Sequence, residues 1–390
     1  MLNTEDISVI VQGAINKEET PKCLKSVRKF LPNAEIILST WEGSDVSALD
    51  GLYDILLLNK DPGAAYYYKN ENGSKLNNLN RQLFSTQEGL KKASRTYAMK
   101  IRSDIILNSD AFLKYFDCYP KRDEKYSLFK HKILTSSICS RFVYNDYVIG
   151  NRIPEIKMAF HISDWWLLGL KEDIDLYFSA PLVKEPNFSD YYKREENKDK
   201  FNPYIFLEEC YLQYAPEQYF AVKCFERNFD DIKIEHAGDI TDEKFEQYRK
   251  YIINNFIFTE FCESGIYFKK HLMSSYPWLS STYFDLYNRF RQQYEYKVLC
   301  DNDYKIDEFA EFLLNNDSFK KNIRMFFIHF HRLRKKEYLK IFFKEAFFTC
   351  FYFFLLFRYF PNVLFLSIKK LFNRLKTNNN LNIAKEKQKE

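Results

Sequence analysis

Three polar clusters in this chain have residue types and spacings that suit chemistry. The first is Arg102-Ser103-Asp104, set between the apolar stretches Tyr97–Ile101 and Ile105–Leu107. A carboxylate in a buried strand is costly unless it meets a cation. A divalent metal held by oxygen ligands is one such partner. The competing reading is a strand-end Asp that caps the next turn through its own backbone. Asp110 is the natural N-cap of the Ala111–Phe116 segment, which leaves Asp104 without a capping duty. Just upstream, Asn77, Asn78, Asn80, Arg81 and Gln82 open a helical pattern. Free backbone amides at such a start favour an anion; solvated capping is the plain alternative.

The second cluster is His161-Ile162-Ser163-Asp164-Trp165-Trp166. His161 and Asp164 are three apart and can meet on one side of a turn. Adjacent tryptophans before the apolar run Leu167–Leu170 read as packing. An aromatic plane also stacks on the apolar face of a sugar ring, while carboxylates take its hydroxyls. Asp164 is thus a candidate base or hydroxyl ligand, with His161 and Trp165 beside it. The third candidate is Glu217, which follows Pro216 at a helix start. The helix dipole alone explains an acid there; a carboxylate that deprotonates a hydroxyl is the chemical alternative.

The elements that must position these groups alternate in type. Ile7–Val11 is a β-branched run ending at Gln12-Gly13. Pro21 opens a helix with Cys23, Leu24 and Val27 on one face. Ala34–Ser39 and Tyr53–Leu58 read as further strands, the latter ending at the turn Asp61-Pro62-Gly63. A helix is expected over Arg81–Ser94, then one strand over Tyr97–Leu107. Such alternation argues for a mostly parallel sheet flanked by helices, with ligands beyond the carboxyl ends of the strands. Gln12-Gly13, Thr40-Trp41-Glu42, Asp61 and Asp104 all fall at that edge. No GxGxxG or Walker motif is present, which argues against dinucleotide oxidoreductases and P-loop kinases.

The blocks Ile7–Gly13, Ile36–Gly43, Asp61–Gly63, Asn77–Gln82, Lys100–Asp104 and His161–Trp166, in this order, resemble the WavE family. These are bacterial glycosyltransferases of lipopolysaccharide and surface-polysaccharide synthesis. The resemblance runs from about residue 6 to about residue 225. It implies a GT-A-like, Rossmann-like α/β fold and a nucleotide-sugar donor. Donor binding then falls to Gln12, Gly13, Thr40, Trp41, Asp61, Asn77, Asn80, Arg81, Arg102 and Asp104. Acceptor binding falls to His161 and Trp165, and catalysis to Asp164 and Glu217. Arg102-Ser103-Asp104 stands where such enzymes carry an acidic metal motif. That motif usually has two acids, and Arg102 occupies the first position. Either Asp104 holds a divalent metal (Mg or Mn), or Arg102 itself neutralises the diphosphate.

The chain is rich in Phe and Tyr and poor in Gly and Pro. Its eight cysteines form no CxxC pair, so neither a zinc site nor a disulfide framework is indicated. Residues 1–240 read as the catalytic domain, 241–319 as a helical extension, 320–376 as basic aromatic helices and 377–390 as a disordered tail. Residues 320–376 hold 14 Lys/Arg against 2 Asp/Glu, and 14 of the 38 phenylalanines. The uncharged run Ala346–Phe357 has 12 residues, where a bilayer span needs about 20. A basic, aromatic segment of this kind reads as lying on an anionic membrane surface; packing on the catalytic domain is the alternative. No nucleic-acid motif is present. The acidic N-terminus runs straight into a strand without a signal peptide. The expectation is a cytoplasmic enzyme, peripheral on the inner face of the cytoplasmic membrane, acting on a lipid-linked glycan. The alternatives are a sugar-phosphate transferase using the same donor edge and a non-catalytic membrane scaffold.

Overall fold

Ile7–Gln12 forms β1, and every residue in it is buried. A run that buries both faces belongs inside a parallel sheet, and β1 lies between two parallel neighbours, Glu35–Trp41 (β2) and Tyr97–Arg102 (β6). The computed structural model describes residues 2–70, 73–144, 147–148, 151–152, 156–204, 210–260, 264–268, 289–306, 308, 311–312, 316 and scattered positions from 350 to 361.

The remaining strands are β3 (Ile55–Asn59), β4 (Ala65–Asn70), β5 (Gly73–Asn77), β7 (Ile106–Leu107), β8 (Ile133–Ser136), β9 (Arg141–Tyr144), β10 (Tyr147–Val148), β11 (Asn151–Arg152), β12 (Ile156–His161), β13 (Trp166–Leu170), β14 (Phe256–Thr259) and β15 (Ile266–Tyr267). The helices are α1 (Glu19–Phe30), α2 (Leu79–Lys92), α3 (Lys171–Tyr177), α4 (Pro216–Glu226), α5 (Asp242–Asn255) and α6 (Arg289–Leu299). The central sheet has seven strands in the order β14-β8-β13-β6-β1-β2-β3. Only β13 runs antiparallel to its neighbours. Its start, Trp166, therefore pairs with Ile101 near the end of β6. This brings Asp164 to the same sheet edge as Arg102.

The period-two alternation of the strands divides the core. Val9, Val11, Ile36, Leu38 and Met99 pack on the α1 side. Ile10, Ile37, Ala98 and Leu167 pack with Leu83 and Leu90 of α2. The Asn16 side chain accepts the Glu18 and Glu19 backbone N–H groups and so starts α1, two residues before the expected Pro21.

Two features differ from the sequence expectation. The Tyr97–Leu107 stretch is not one strand: β6 stops at Arg102, Ile105 N–H donates to Arg102 O at 3.1 Å, and Asp104 sits in the turn. Arg102 and Asp104, two residues apart, pair with each other across this turn. The 241–319 region is not a helical extension alone. Phe256–Thr259 is apolar and β-prone, and as β14 it pairs parallel with β8. The chain divides into two compact units, Met1–Tyr276 with Asp285–Asn302, and Pro277–Phe284 with Asp303–Glu390. In the second unit Phe312 and Tyr359 pair their rings at 6.4 Å. The 320–376 and 377–390 segments lie outside the described residues, apart from positions between 350 and 361.

The α2–β1 contact leaves no room for a side chain at Gly89, where a methyl would run into Ile10 Cγ2. Gly89→Ala gains about 1 kcal/mol of helix propensity, but overpacking costs about 1–3 kcal/mol. We expect net destabilisation in a denaturant titration. A stabilised variant would contradict the contact.

Candidate active site

The carboxyl ends of β1, β2 and β6 open onto a cleft of about 610 Å³. Gln12, Gly13, Trp41, Asp61, Arg81, Arg102 and Asp104 line it, joined by Asn78, Gln82, Glu42 and Ser103. The floor is fixed by short polar bonds. Gln12 Oε1 accepts from Ser85 Oγ at 3.0 Å, and Ser39 Oγ donates to Ser85 O at 2.7 Å. Ser103 N–H donates to Gln12 O at 2.9 Å and Ser103 Oγ to Ala14 O at 2.8 Å. Gly13 has φ of +119°, and a Cβ there would approach Ser103 Oγ to 3.3 Å, so this turn needs glycine.

Two arginine–carboxylate forks stand in the cleft. Arg81 Nε donates to Asp61 Oδ1 at 2.9 Å and its Nη2 to Asp61 Oδ2 at 2.6 Å, while Nη1 reaches Asn78 Oδ1 at 3.1 Å. Arg102 Nε donates to Asp104 Oδ1 at 3.0 Å and Nη2 to Asp104 Oδ2 at 2.9 Å. The Arg81 fork lowers the Asp61 pKa, and Asp61 in turn raises that of Arg81. For Arg102, burial opposes the charge, but Asp104 outweighs it and the pKa rises. Arg102 also lies 4.8 Å from the Phe268 ring centroid. Both pairs are partly exposed, and such pairs contribute only about 0–1 kcal/mol.

Three expected donor ligands lie elsewhere. Asn80 is buried with its amide on the Val183 backbone: Nδ2 donates to Val183 O at 3.1 Å and Oδ1 accepts Val183 N–H at 2.8 Å. Asn77 lies just before α2, its Oδ1 accepting Leu79 N–H at 2.9 Å. Thr40 points to the other face of β2, 3.4 Å from Ser44 Oγ. In each case helix or strand periodicity turns the side chain away from the cleft.

Behind Arg102 lies a buried charged cluster. Lys100 and Gln82 both donate to the backbone carbonyl of Asp164, the latter at 3.1 Å. This fixes the Asp164 backbone, while its carboxylate accepts no hydrogen bond among the described residues. Burial lowers the Lys100 pKa to about 7, against the pull of Asp164. Burial, then the Asp164 charge, pushes Glu217 up to about 7. His161 is buried with Nδ1 2.9 Å from Cys139 O. Burial, then the charge of Arg141, holds its pKa down at about 3, so its ring is neutral. Trp165 is buried, with its ring edge-on to Phe268 at 4.7 Å. None of His161, Asp164, Trp165 and Glu217 lines the cleft; Asp164 and Glu217 stand behind Arg102. Lys100 was not foreseen as a site residue, although a lysine between Met99 and Ile101 in an apolar strand was a visible signal. The Asp104 carboxylate is already engaged. Both its oxygens hold Arg102, and among the described residues no three His, Cys, Asp or Glu side chains gather.

The raised Glu217 pKa has a testable consequence. The folded chain holds this proton up to about 7 and the unfolded chain releases it near 4.5. Stability from this group therefore falls as pH rises between those values. Glu217→Gln removes the dependence. Relative to wild type, the variant should gain thermal stability from about pH 5 to about pH 8. Melting curves that shift in parallel would contradict the assignment.

No curated protein matches this chain. Among solved structures, S. aureus TarS 1–349 in complex with UDP-GlcNAc is 14% identical, over 87% of this chain and 79% of that one, with a TM-score of 0.30. The bifunctional IspDF from Campylobacter jejuni is 12% identical, with a TM-score of 0.29, over 47% of this chain and 45% of that one. At such TM-scores neither likeness decides the fold. A family model described as WavE lipopolysaccharide synthesis matches residues 7–326, well over half of the sequence, and the chain belongs to the WavE family.

Proposed function

We propose that this chain is a GT-A-like glycosyltransferase, moving a sugar from a nucleotide-sugar donor to a lipopolysaccharide or surface-glycan acceptor. One observation carries the reading: two exchangeable arginine forks, Arg81–Asp61 and Arg102–Asp104, share one cleft at the carboxyl ends of parallel strands. A diphosphate offers two anionic groups that guanidinium forks bind bidentately. Trp41 supplies a flat face for the nucleobase. In transfer, the bond from the sugar's anomeric carbon to the diphosphate oxygen breaks, and its electron pair leaves on the nucleoside diphosphate. Arg81 and Arg102 neutralise that charge without a metal. The acceptor oxygen forms the new bond at the anomeric carbon, and its proton passes to Asp164. Glu217, raised to about 7 by burial and then by the Asp164 charge, is the neighbouring group that can take the proton on. Lys100 and Gln82 hold the Asp164 backbone in place.

Arg81→Ala and Arg102→Ala should each raise donor KM by roughly tenfold to a hundredfold, since charge-assisted bonds are worth about 1.5–3 kcal/mol. Asp164→Asn should lower kcat by roughly 10²–10⁴ with donor KM little changed. Nucleotide release from a panel of nucleotide sugars is the assay, run with and without EDTA. Release of UDP or another nucleoside diphosphate that persists in EDTA supports the proposal, and CMP release would contradict its diphosphate site. UMP release means sugar-phosphate transfer, and no release with any donor favours a scaffold. Loss of activity in EDTA would contradict the arginine mechanism.

Among the described residues no helix is long and apolar enough to cross a membrane. The sequence of 320–376, with 14 Lys/Arg against 2 Asp/Glu, supports attachment to an anionic membrane surface near a lipid-linked acceptor. The full-length protein should sediment with anionic liposomes at low salt and less at high salt. Failure to sediment at low salt would remove the membrane role.

A further inference from the structure

The four inner residues of β6 are all buried, and one of them is a lysine. Lys100 lies between Ile10 of β1 and Leu167 of β13. Strand alternation puts it on the α2 side of the sheet with Ala98. Among the described residues its ammonium donates one hydrogen bond, to the backbone carbonyl of Asp164. Gln82 Nε2 of α2 donates to the same oxygen at 3.1 Å. The Phe178 ring, just after α3, lies 5.8 Å away.

That carbonyl does not by itself explain a lysine. Its oxygen has two lone pairs, and a neutral amide already takes one. A second neutral donor would serve as well, without the cost of a buried charge. The charge therefore needs a partner of its own. Arg102 and Asp104 satisfy each other through a two-bond fork. The Asp164 carboxylate is buried and accepts no hydrogen bond among the described residues. Of the charges that act on Lys100, Asp164 is the strongest, ahead of Arg102 and Asp104. The other neighbours are neutral: Ile10 and Leu167 from the flanking strands, Gln82 from α2 and Phe178 beside α3. Glu217 of α4 acts on Asp164 from its own side.

We propose that Lys100 is a positioning residue for Asp164 that acts through its charge as well as its bond, as the counter-charge of the buried carboxylate. This rests on the reading of Asp164 as the group that takes the acceptor proton. Burial lowers the Lys100 pKa to about 7, so the ammonium is charged in mildly acidic solution and its charge fades above neutral pH. A carboxylate base is lost to protonation only on the acid side. The effect of Lys100 on turnover is therefore largest at low pH and small at high pH.

The test is kcat and donor KM, from nucleotide release, across about pH 5.5 to about pH 8.5. Wild type is compared with Lys100→Gln, which keeps a donor but no charge, and Lys100→Met, which keeps neither. In Lys100→Gln the acid limb of kcat should move up by about one pH unit or more. At about pH 5.5 kcat then falls roughly tenfold, and at about pH 8.5 it stays within about threefold of wild type, with donor KM little changed. Lys100→Met should show the same limb and a lower kcat at every pH. In an Asp164→Asn background, Lys100→Gln should change the profile no further. A Lys100→Gln profile parallel to that of an active wild type overturns this inference alone. A wild type that releases no nucleotide with any donor overturns the reading of the function, and this inference with it. If neither Lys100 variant folds, NMR of isotope-labelled lysine decides. In Asp164→Asn, Lys100 should lose its proton at lower pH than in wild type; an unchanged titration overturns the proposal.

Discussion

A partly buried guanidinium at the end of a sheet strand needs a counter-charge, and Arg102 takes one from Asp104, two residues on. This pair ends β6, forms one wall of the cleft and rests on Phe268. Its charge also reaches inward, to Lys100 and Glu217. Sheet edge, cleft and buried cluster therefore meet at one ion pair. Between them lies Ser103, which joins the β6 turn to the end of β1.

On the proposed function, the balance of magnitudes lets a phosphate take the place of either carboxylate. Partly exposed ion pairs are weak, because water screens them and long side chains lose entropy in forming them. A bidentate guanidinium–phosphate contact keeps the same geometry and gains a stronger acceptor. The carboxylates hold the arginines in position until then. The inner cluster obeys a different rule. Where water is excluded, Lys100 is pulled down, Glu217 is pushed up, and the two acids Asp164 and Glu217 do not readily ionise together. Burial, with the Asp164 charge behind it, thus turns Glu217 into a carboxyl that can hold or release a proton near neutral pH.

Much of this was legible in the sequence because it rests on periodicity. The strand–helix order, the buried face Cys23, Leu24 and Val27, and the polar ends of β1, β2 and β6 follow from alternation and turn residues. What was not legible depends on tertiary choice. Asn80 sits in the same motif as Arg81, but one step along a helix turns it by about 100° and onto the Val183 backbone. Asp104 reads as a strand residue until its arginine partner ends the strand. Phe256–Thr259 follows a helix and reads as its continuation, yet β14 finds an open edge at β8. Lys100, inside an apolar strand, was visible as an oddity, but its bond to the Asp164 carbonyl depends on β13 pairing with β6.

The most direct measurement is a crystal structure of the protein with a nucleotide sugar bound in the presence of EDTA. The diphosphate is expected between Arg81 and Arg102, with Asp61 and Asp104 released from their forks and Asp164 on the acceptor side of the anomeric carbon. A diphosphate held away from both arginines, with the two forks intact, would contradict the assignment of this cleft as the donor site.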